Sequence, residues 1–548
     1  AAAAAATTTA TTAPIHLCNS VSMGCQLSKQ QQQQRHRQYH PKHHLSENLV
    51  VQHHHHSVHD DYDIIKQIGK GSIGMIYLAQ SKQPQYTTIS SERSGEESSP
   101  QHFKNNDTSQ KSAGAYNKNN NVMSQYAMKE IDSETLERGA FDSLKKEIAL
   151  LTTLDHPFII KFFDSYTITG VEDGKEKLSV VMELCTGGSL DEYVPYSEDT
   201  ALILVANIVQ AILYLHHHNI VHHDLKNENV MFVDKTRDPN NIRLLDFGLA
   251  KRFDGVHRIL DRNGTIYTLS PEAIRGEYSE KADMWSIGVM CFHLLSGDRP
   301  FWGETSHDVG VKVLNMDYSM EGPKWDSISK EAKSFIRGLL QFDPALRYTP
   351  FEALHSPWLK QQTEFNVENM SKSERVILEK AKEAHAPMKE LQKLSLYAIA
   401  HKARSEDVAS LRKLYLAIEG EDGEISLPDM QRALKGQLTP EQIKEWFKRS
   451  DFEYSGKINF TQFVAGSYDA QKKLSSQEII DAFRFFDRDD SGFITADNLR
   501  EALKIEKGEY IDELIHEADF DGDGQISFRD FRNFLLKKEL TPKPVEAE

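Results

Sequence analysis

Four short motifs bring together residues suited to handling a phosphate chain. IGKGSIGMIY places Gly69, Gly71 and Gly74 in a Gly-x-Gly-x-x-Gly spacing, with Ile76 just beyond, between runs of β-branched and apolar residues. Glycine lets a backbone lie close over a triphosphate. The spacing alone is weak, because a dinucleotide-binding turn has it too. No βαβ crossover follows, which disfavours that fold. YAMK puts Lys129 at the end of an apolar run, where it can hold phosphates. Glu147, on the amphipathic segment FDSLKKEIALL, can pair with it. VHHDLKNEN then supplies Asp224, Lys226 and Asn229, and LLDFGLA supplies Asp246. Any one of these carboxylates alone reads as a solvated surface charge. The set, in this order, is highly specific.

A second chemistry lies downstream. A calcium loop needs oxygen ligands at positions 1, 3, 5, 7, 9 and 12, with glycine at 6 for the turn. DFDGDGQISFRD fits, with Asp519, Asp521, Asp523 and Gln525 at the first four ligand positions and Asp530 at the last. DRDDSGFITADN offers Asp487, Asp489, Ser491 and Phe493 but closes on Asn498. DFEYSGKINFTQ offers Asp451, Glu453 and Ser455 but closes on Gln462. IEGEDGEISLPD, near Glu419, keeps Gly423 and Ile425 but lacks a first ligand, so it is expected to be empty and structural. Amphipathic helices flank the loops, and Gly456, Gly492 and Gly524 recur at intervals of 36 and 32 residues. No loop ends in glutamate. Aspartate usually gives one oxygen where glutamate gives two, so dissociation constants of ~10⁻⁶ to 10⁻⁵ M or weaker are expected.

From Tyr62 to Leu359 the chain resembles the eukaryotic protein kinase family, on the motifs just quoted. The resemblance implies an α+β bilobal protein kinase fold and a role for each matching residue. Asp224 would accept the proton of the substrate hydroxyl. Asn229 and Asp246 would hold Mg²⁺. Lys129, braced by Glu147, would position the phosphates of ATP. Lys226 marks the serine/threonine form and would meet the γ-phosphate. In VVMELCTGG, Met182 would be the gatekeeper, with Glu183 and Cys185 facing adenine. Glu272 in GTIYTLSPE would pair with Arg347, and Asp283 would anchor the catalytic loop. Two departures stand out. His223 replaces the arginine that normally meets a phosphorylated activation loop, and LAKRFDGVHRILDRNG has no Ser, Thr or Tyr to phosphorylate. Activity without loop phosphorylation is therefore expected. Ser189 stands where kinases that prefer upstream arginine often carry glutamate, with Asp191 and Glu192 nearby. A basic-substrate preference is thus not carried over.

A kinase followed by four EF-hand units resembles the calcium-dependent protein kinase family, over Tyr62 to about Leu536. Four regions are expected. Residues 1–61 are low-complexity and disordered, rich in Ala, Thr, Gln and His. Residues 62–359 form the kinase domain, with a low-complexity insert at about 81–121. Residues 360–405 form an autoinhibitory junction, and 406–540 an all-α calmodulin-like domain. The chain of 548 residues is acidic, at −17, which argues against a general nucleic-acid binder. The acidity is uneven. Residues 406–548 hold 31 acidic and 20 basic side chains, whereas 360–404 hold 6 acidic and 9 basic. The junction segment carries Met388, Leu391, Leu394, Leu396 and Ile399 among Lys389, Lys393 and Lys402, a basic amphipathic helix of the kind an opened EF-hand groove seizes. The partners expected are protein substrates and this intramolecular helix.

Four cysteines, none with metal-ligand spacing, suit a reducing, intracellular setting. No apolar run is expected to approach the length of a membrane span. The stretch MGCQLSKQ matches a lipidation signal. The expectation is that Met23 is the true start, that Gly24 is myristoylated, and that Cys25 is palmitoylated at a membrane surface. Two rivals remain. One is a related kinase with degenerate EF-hands that ignores Ca²⁺. The other is a weakly catalytic, Ca²⁺-binding scaffold.

Overall fold

The structure is a computed structural model. It describes residues 52–54, 56–71, 74–82, 124–135, 141, 145, 148, 153–169, 176–253, 264–360, 370–383, 388–471, 474–489, 491–503 and 509–536. Gly24, Cys25 and Glu147 lie outside the described residues, as does most of the insert.

Six strands form the upper sheet: β1 (Gln52–His54), β2 (Tyr62–Gly71), β3 (Gly74–Ser81), β4 (Gln125–Asp132), β5 (Phe162–Thr169) and β6 (Glu176–Met182), in the order β1-β5-β6-β4-β3-β2. The insert spans the end of one hairpin. β3 and β4 pair from Met75↔Glu130 to Gln80↔Gln125, and the Ser81 amide donates to the Ser124 carbonyl at 3.1 Å. The strands therefore keep one register whatever length of chain joins them.

The low-complexity region ends earlier than residue 61. Gln52–His54 pair in parallel with Asp164–Tyr166 of β5. Ser57 then caps a short helix, Val58–Asp61, whose Val58 is buried. The reason is physical. An edge strand offers backbone donors and acceptors to any extended segment, whatever its side chains.

The lower lobe is helical, built round α1 (Glu198–His217) and α2 (Glu280–Ser296). By length and composition α1 is apolar enough to cross a membrane, contrary to the expectation from sequence. Most of it is buried in the lobe core, with Leu204, Val205, Val209 and Ile212 at 0% exposure. A buried ion pair ties the lobe together. Arg347 donates to both Glu272 oxygens at 2.6 and 3.1 Å and lies 5.2 Å from the Trp285 ring centre.

The junction gives α3 (Lys372–Glu383) and α4 (Glu390–His401). The next elements used below are α5 (Ala409–Ile418), α6 (Phe460–Gln471), α7 (Ser476–Phe486), α8 (Glu509–Ala518) and α9 (Phe528–Leu535). Two antiparallel ribbons couple the calcium loops into pairs: Ile425–Ser426 with Lys457–Ile458, and Phe493–Ile494 with Ile526–Ser527. The junction helix departs from its expected one-sided pattern. Every residue of α4 from Leu391 to His401 is buried, Lys393 included. It packs on α6, α7 and α8, so both EF-hand pairs touch it.

Candidate active site and calcium loops

β2, β3 and β4 set the first part of the site. Gly69 pairs with Ile76, and Ile76 pairs with Lys129, so the three stand in one row across the sheet. A Cβ on Gly71 would come within 3.1 Å of Lys129 Cε, and one on Gly74 would lie 2.4 Å from the Glu130 carbonyl. Gly71 thus lies directly against the lysine side chain. Lys129 Nζ meets Asp246 Oδ1 at 2.8 Å, joining the two lobes. Asp246 adopts φ +58°, and Phe247, next to it, packs against His222 with ring centres 4.9 Å apart.

The catalytic loop is built around buried Asp283. Burial alone would raise its carboxyl, but donors from His216 and His222 hold it below its ordinary value. It accepts the His222 and His223 amides at 2.9 and 3.1 Å and His216 Nε2 at 3.0 Å. His223 has φ +71° and stacks on Tyr278 at 3.7 Å, filling the arginine's place with a packed ring.

Asp224 is the hub. Its Oδ2 accepts Lys226 Nζ at 2.6 Å and Asn229 Nδ2 at 3.1 Å, and its Oδ1 accepts the Thr265 hydroxyl at 2.7 Å. Lys226 also donates to Thr265 Oγ1 at 3.0 Å. Asp224, Lys226, Asn229, Asp246 and Lys129 therefore gather at one cleft. Thr265 was not singled out from sequence, although it lies in the quoted GTIYTLSPE.

In the hinge segment the Glu183 side chain takes Arg243 Nε at 2.6 Å and Nη2 at 3.0 Å, and Arg243 also donates to Ser405. Arg243 is distant in sequence, so no motif marks this ion pair. Cys185 is half-buried, and burial raises its thiol well above its ordinary value, which suits packing rather than reactivity.

The calcium loops differ from one another. Carboxylate oxygens of Asp519, Asp521 and Asp523 lie within 4.8 Å of each other. Asp519 is oriented by the amides of Gly522 and Gly524 at 2.8 and 2.9 Å. The Gln525 amide donates to Asp523 at 2.8 Å, while Asp530 caps its own helix by accepting from Ser527. This donor set fits a divalent cation. In the second loop Asp487 accepts from Ser491 and Gly492, Asp489 accepts from Ser491, and Asn498 accepts from Thr495. Ser491 donates its hydroxyl to the Phe493 carbonyl. In the third, both Asp451 oxygens accept loop amides, from Ser455 and Gly456, and Gln462 caps Asn459. Glu453 is half-buried and Ser455 exposed.

The loop at Glu419 is packed on the kinase. Gln210 of α1 donates to Glu419 at 3.0 Å, and a Cβ on Gly423 would lie 2.9 Å from Tyr214 Cβ.

Comparison with known proteins agrees with this geometry. The family model of the protein kinase domain matches residues 111–359, and that of an EF-hand domain pair matches 476–536. Calcium-dependent protein kinase 3 of Plasmodium berghei (strain Anka) is 32% identical, over 76% of this chain and 76% of its own length. This chain belongs to the calcium-dependent protein kinase family. Calcium-dependent protein kinase 34 of Arabidopsis thaliana is 29% identical over 77% of this chain and 81% of its own. Calcium-dependent protein kinase 5 of Plasmodium falciparum (isolate 3D7) is 32% identical over 75% and 73%. Among solved structures, a twitchin kinase fragment from C. elegans covers 59% of this chain and 61% of its own at 28% identity, with a TM-score of 0.45. The protein is a Ca²⁺-regulated serine/threonine protein kinase, with ATP, Mg²⁺ and Ca²⁺ as cofactors.

Sequence reasoning missed the contacts that hold the calcium-dependent kinase's two halves together. Asp155 accepts the Thr461 amide at 2.8 Å and its hydroxyl at 3.0 Å, capping α6 from the kinase side. His401 donates to the Phe162 carbonyl at 2.9 Å, and Ser405 to Asn241 at 2.5 Å. No local pattern marks these residues, because each partner lies more than a hundred positions away in the chain.

Proposed function

We propose that the position of helix α4 switches this kinase, and that the arrangement described above is the released state. The observation that carries the reading is the enclosure of α4. Glu517 of α8 accepts the amides of Glu390 and Leu391 at 3.1 and 2.8 Å, capping the helix from the second EF-hand pair. Lys389 donates to the Glu517 carbonyl at 3.1 Å and lies 5.4 Å from the Phe534 ring centre. A helix start satisfied by another element's carboxylate is held at a fixed point. Without Ca²⁺ the junction leaves this seat and blocks the cleft. A switch from 1:99 to 99:1 needs about 5.5 kcal/mol of differential binding, which several weak sites together can supply.

In the chemical step, Asp224 takes the proton of the substrate hydroxyl while Lys226 and Asn229 hold it in place. Asn229 and Asp246 would carry the metal, and Lys129 would position the phosphates. Bound Mg²⁺·ATP supplies the phosphoryl group and neutralises its charge. The test is phosphate transfer to a generic protein substrate, first with EGTA and then with Ca²⁺. Stimulation by Ca²⁺ that shrinks in Glu517→Gln is expected. Equal rates in both media would rule out the switch, and loss of all transfer would favour the scaffold.

The same reading places the protein inside the cell, in the cytoplasm and at membranes, through a myristoyl group on Gly24 and a palmitoyl group on Cys25. Two chains anchor stably where one is marginal. Mass spectrometry of the native protein tests this, and an unmodified peptide crossing Ser22–Met23 would end it.

A further inference from the structure

The turn between α4 and α5 closes over two buried arginines. Arg412 of α5 is 4% exposed, and Arg243, on the kinase strand Ile242–Leu244, is 3% exposed. Both guanidinium groups donate from Nη2 to one oxygen, the Ser405 hydroxyl, with Arg243 at 3.2 Å. Ser405 in turn donates to Asn241 Oδ1 at 2.5 Å.

The charges at this contact do not balance. Arg243 is met by Glu183. Among the described residues Arg412 donates only to neutral oxygens, and its Nε has no partner. Those oxygens are the Asn240 carbonyl at 3.1 Å, the Ser405 carbonyl at 2.9 Å and the Ser405 hydroxyl. Burial first, and Arg243 second, pull the Arg412 guanidinium down to about 9, so it is still charged at neutral pH. Lys161 adds a third positive charge within electrostatic reach of both arginines, facing Asp155 and Glu183. Asp234 and Asp238 act on Arg412 from further off, and each is held by its own turn, Asp234 by Thr236 and Asn241, Asp238 by Asn240. A buried cation without an anion is costly. Two guanidinium forks side by side suit an anion with several oxygens.

The serine is placed to acquire one. Ser405 is half-buried, and its neighbours Arg404 and Glu406 are exposed. It lies outside both helices, so no helix has to unwind to present it to an active site.

We propose that Ser405 is a phosphorylation site whose phosphate is read by Arg412 and Arg243. The hydroxyl oxygen attacks the γ-phosphorus of ATP in a protein kinase's cleft, the bond to ADP breaks, and the proton passes to that kinase's carboxylate base. Transfer takes place while the dock is open, because the docked oxygen is held by both arginines. On redocking, the phosphate gives up the bond to Asn241 and offers its oxygens to the two forks. The modification fastens the turn behind α4 to the kinase lobe and so holds α4 in its seat. That consequence rests on the released-state reading above.

The experiment compares the full chain carrying phosphoserine at 405, incorporated during translation, with the unmodified chain, both with Ca²⁺. The phosphate should raise the melting temperature by about 2 °C. It should also lower the Ca²⁺ concentration for half-maximal phosphate transfer about tenfold, as suits one added charge-assisted contact. Arg412→Gln should remove most of both effects. If that variant fails to fold, Arg412→Lys, which keeps the charge and loses the fork, should retain only the smaller part of them. A phosphate that lowers the melting temperature, or whose effects survive both Arg412 variants undiminished, would overturn the assignment. So would mass spectrometry of the native protein that finds Ser405 bare in resting and in Ca²⁺-stimulated cells alike. A rise in melting temperature in a chain whose transfer ignores Ca²⁺ would uphold the site and overturn only the switch.

Discussion

The two EF-hand pairs share one fold and face different things. The loops of the first pair, at Glu419 and Asp451, are tied to protein. Glu419 meets Gln210, Gly423 presses on Tyr214, and Asp155 caps the helix that follows Asp451. The second pair keeps a cluster of Asp519, Asp521 and Asp523, the first half-buried and the other two exposed. A loop wedged against another domain has little freedom to close around an ion. The docking contacts thus fall to the first pair and the carboxylate cluster to the second, and α4 packs against both.

Five substitutions test that division. The largest effect should come from Arg243→Met in the dock, which leaves the half-buried Glu183 without its partner. A loss of about 3–5 kcal/mol in unfolding free energy is expected, equal with and without Ca²⁺ in urea titrations. Dependence on Ca²⁺ would show that the dock is part of the sensor.

Next comes pH. Burial pushes the His401 imidazole down to about 3. The unfolded chain takes up a proton there below about 6.5 and the native state does not, so stability falls as pH drops through that value. His401→Gln keeps a donor for Phe162 but cannot titrate. It should recover about 2 kcal/mol at pH 5 relative to pH 7.5, read by thermal unfolding. His156, also lowered to about 3 by burial, keeps its own share of the slope.

Asp519→Asn should then weaken Ca²⁺ binding about tenfold or more by calorimetry, while Asp451→Asn changes it little. The reverse ranking would break the comparison. The smallest effect is expected at Tyr454, whose hydroxyl donates to Glu390 at 2.5 Å and meets Lys393 at 3.3 Å. Tyr454→Phe should cost about 1 kcal/mol. It should appear as a slightly higher Ca²⁺ requirement for phosphate transfer, because this is where a loop of the first pair touches α4.

What was legible in the sequence was local. Asp224, Lys226 and Asn229 lie within six residues, and the calcium ligands lie within single loops, so type and spacing declare them. The Glu183–Arg243 pair was not legible, because a motif says where a residue sits along the chain and not which way its side chain turns. The dock was silent for the same reason, since Asp155 and Thr461 pair across 306 positions. The early strand at Gln52 was hidden by composition, which reports on core-forming ability and not on backbone pairing.

One hairpin has a practical consequence. Because Ser81 and Ser124 are hydrogen-bonded neighbours, the sheet registers the intervening chain as a single turn. Loop-closure entropy grows by only about 0.6 kcal/mol per doubling of length. The insert is therefore an engineering socket. It can be cut back to a tight turn or replaced by a folded reporter, and the paired strands on either side should carry the graft without losing the lysine of the phosphate site.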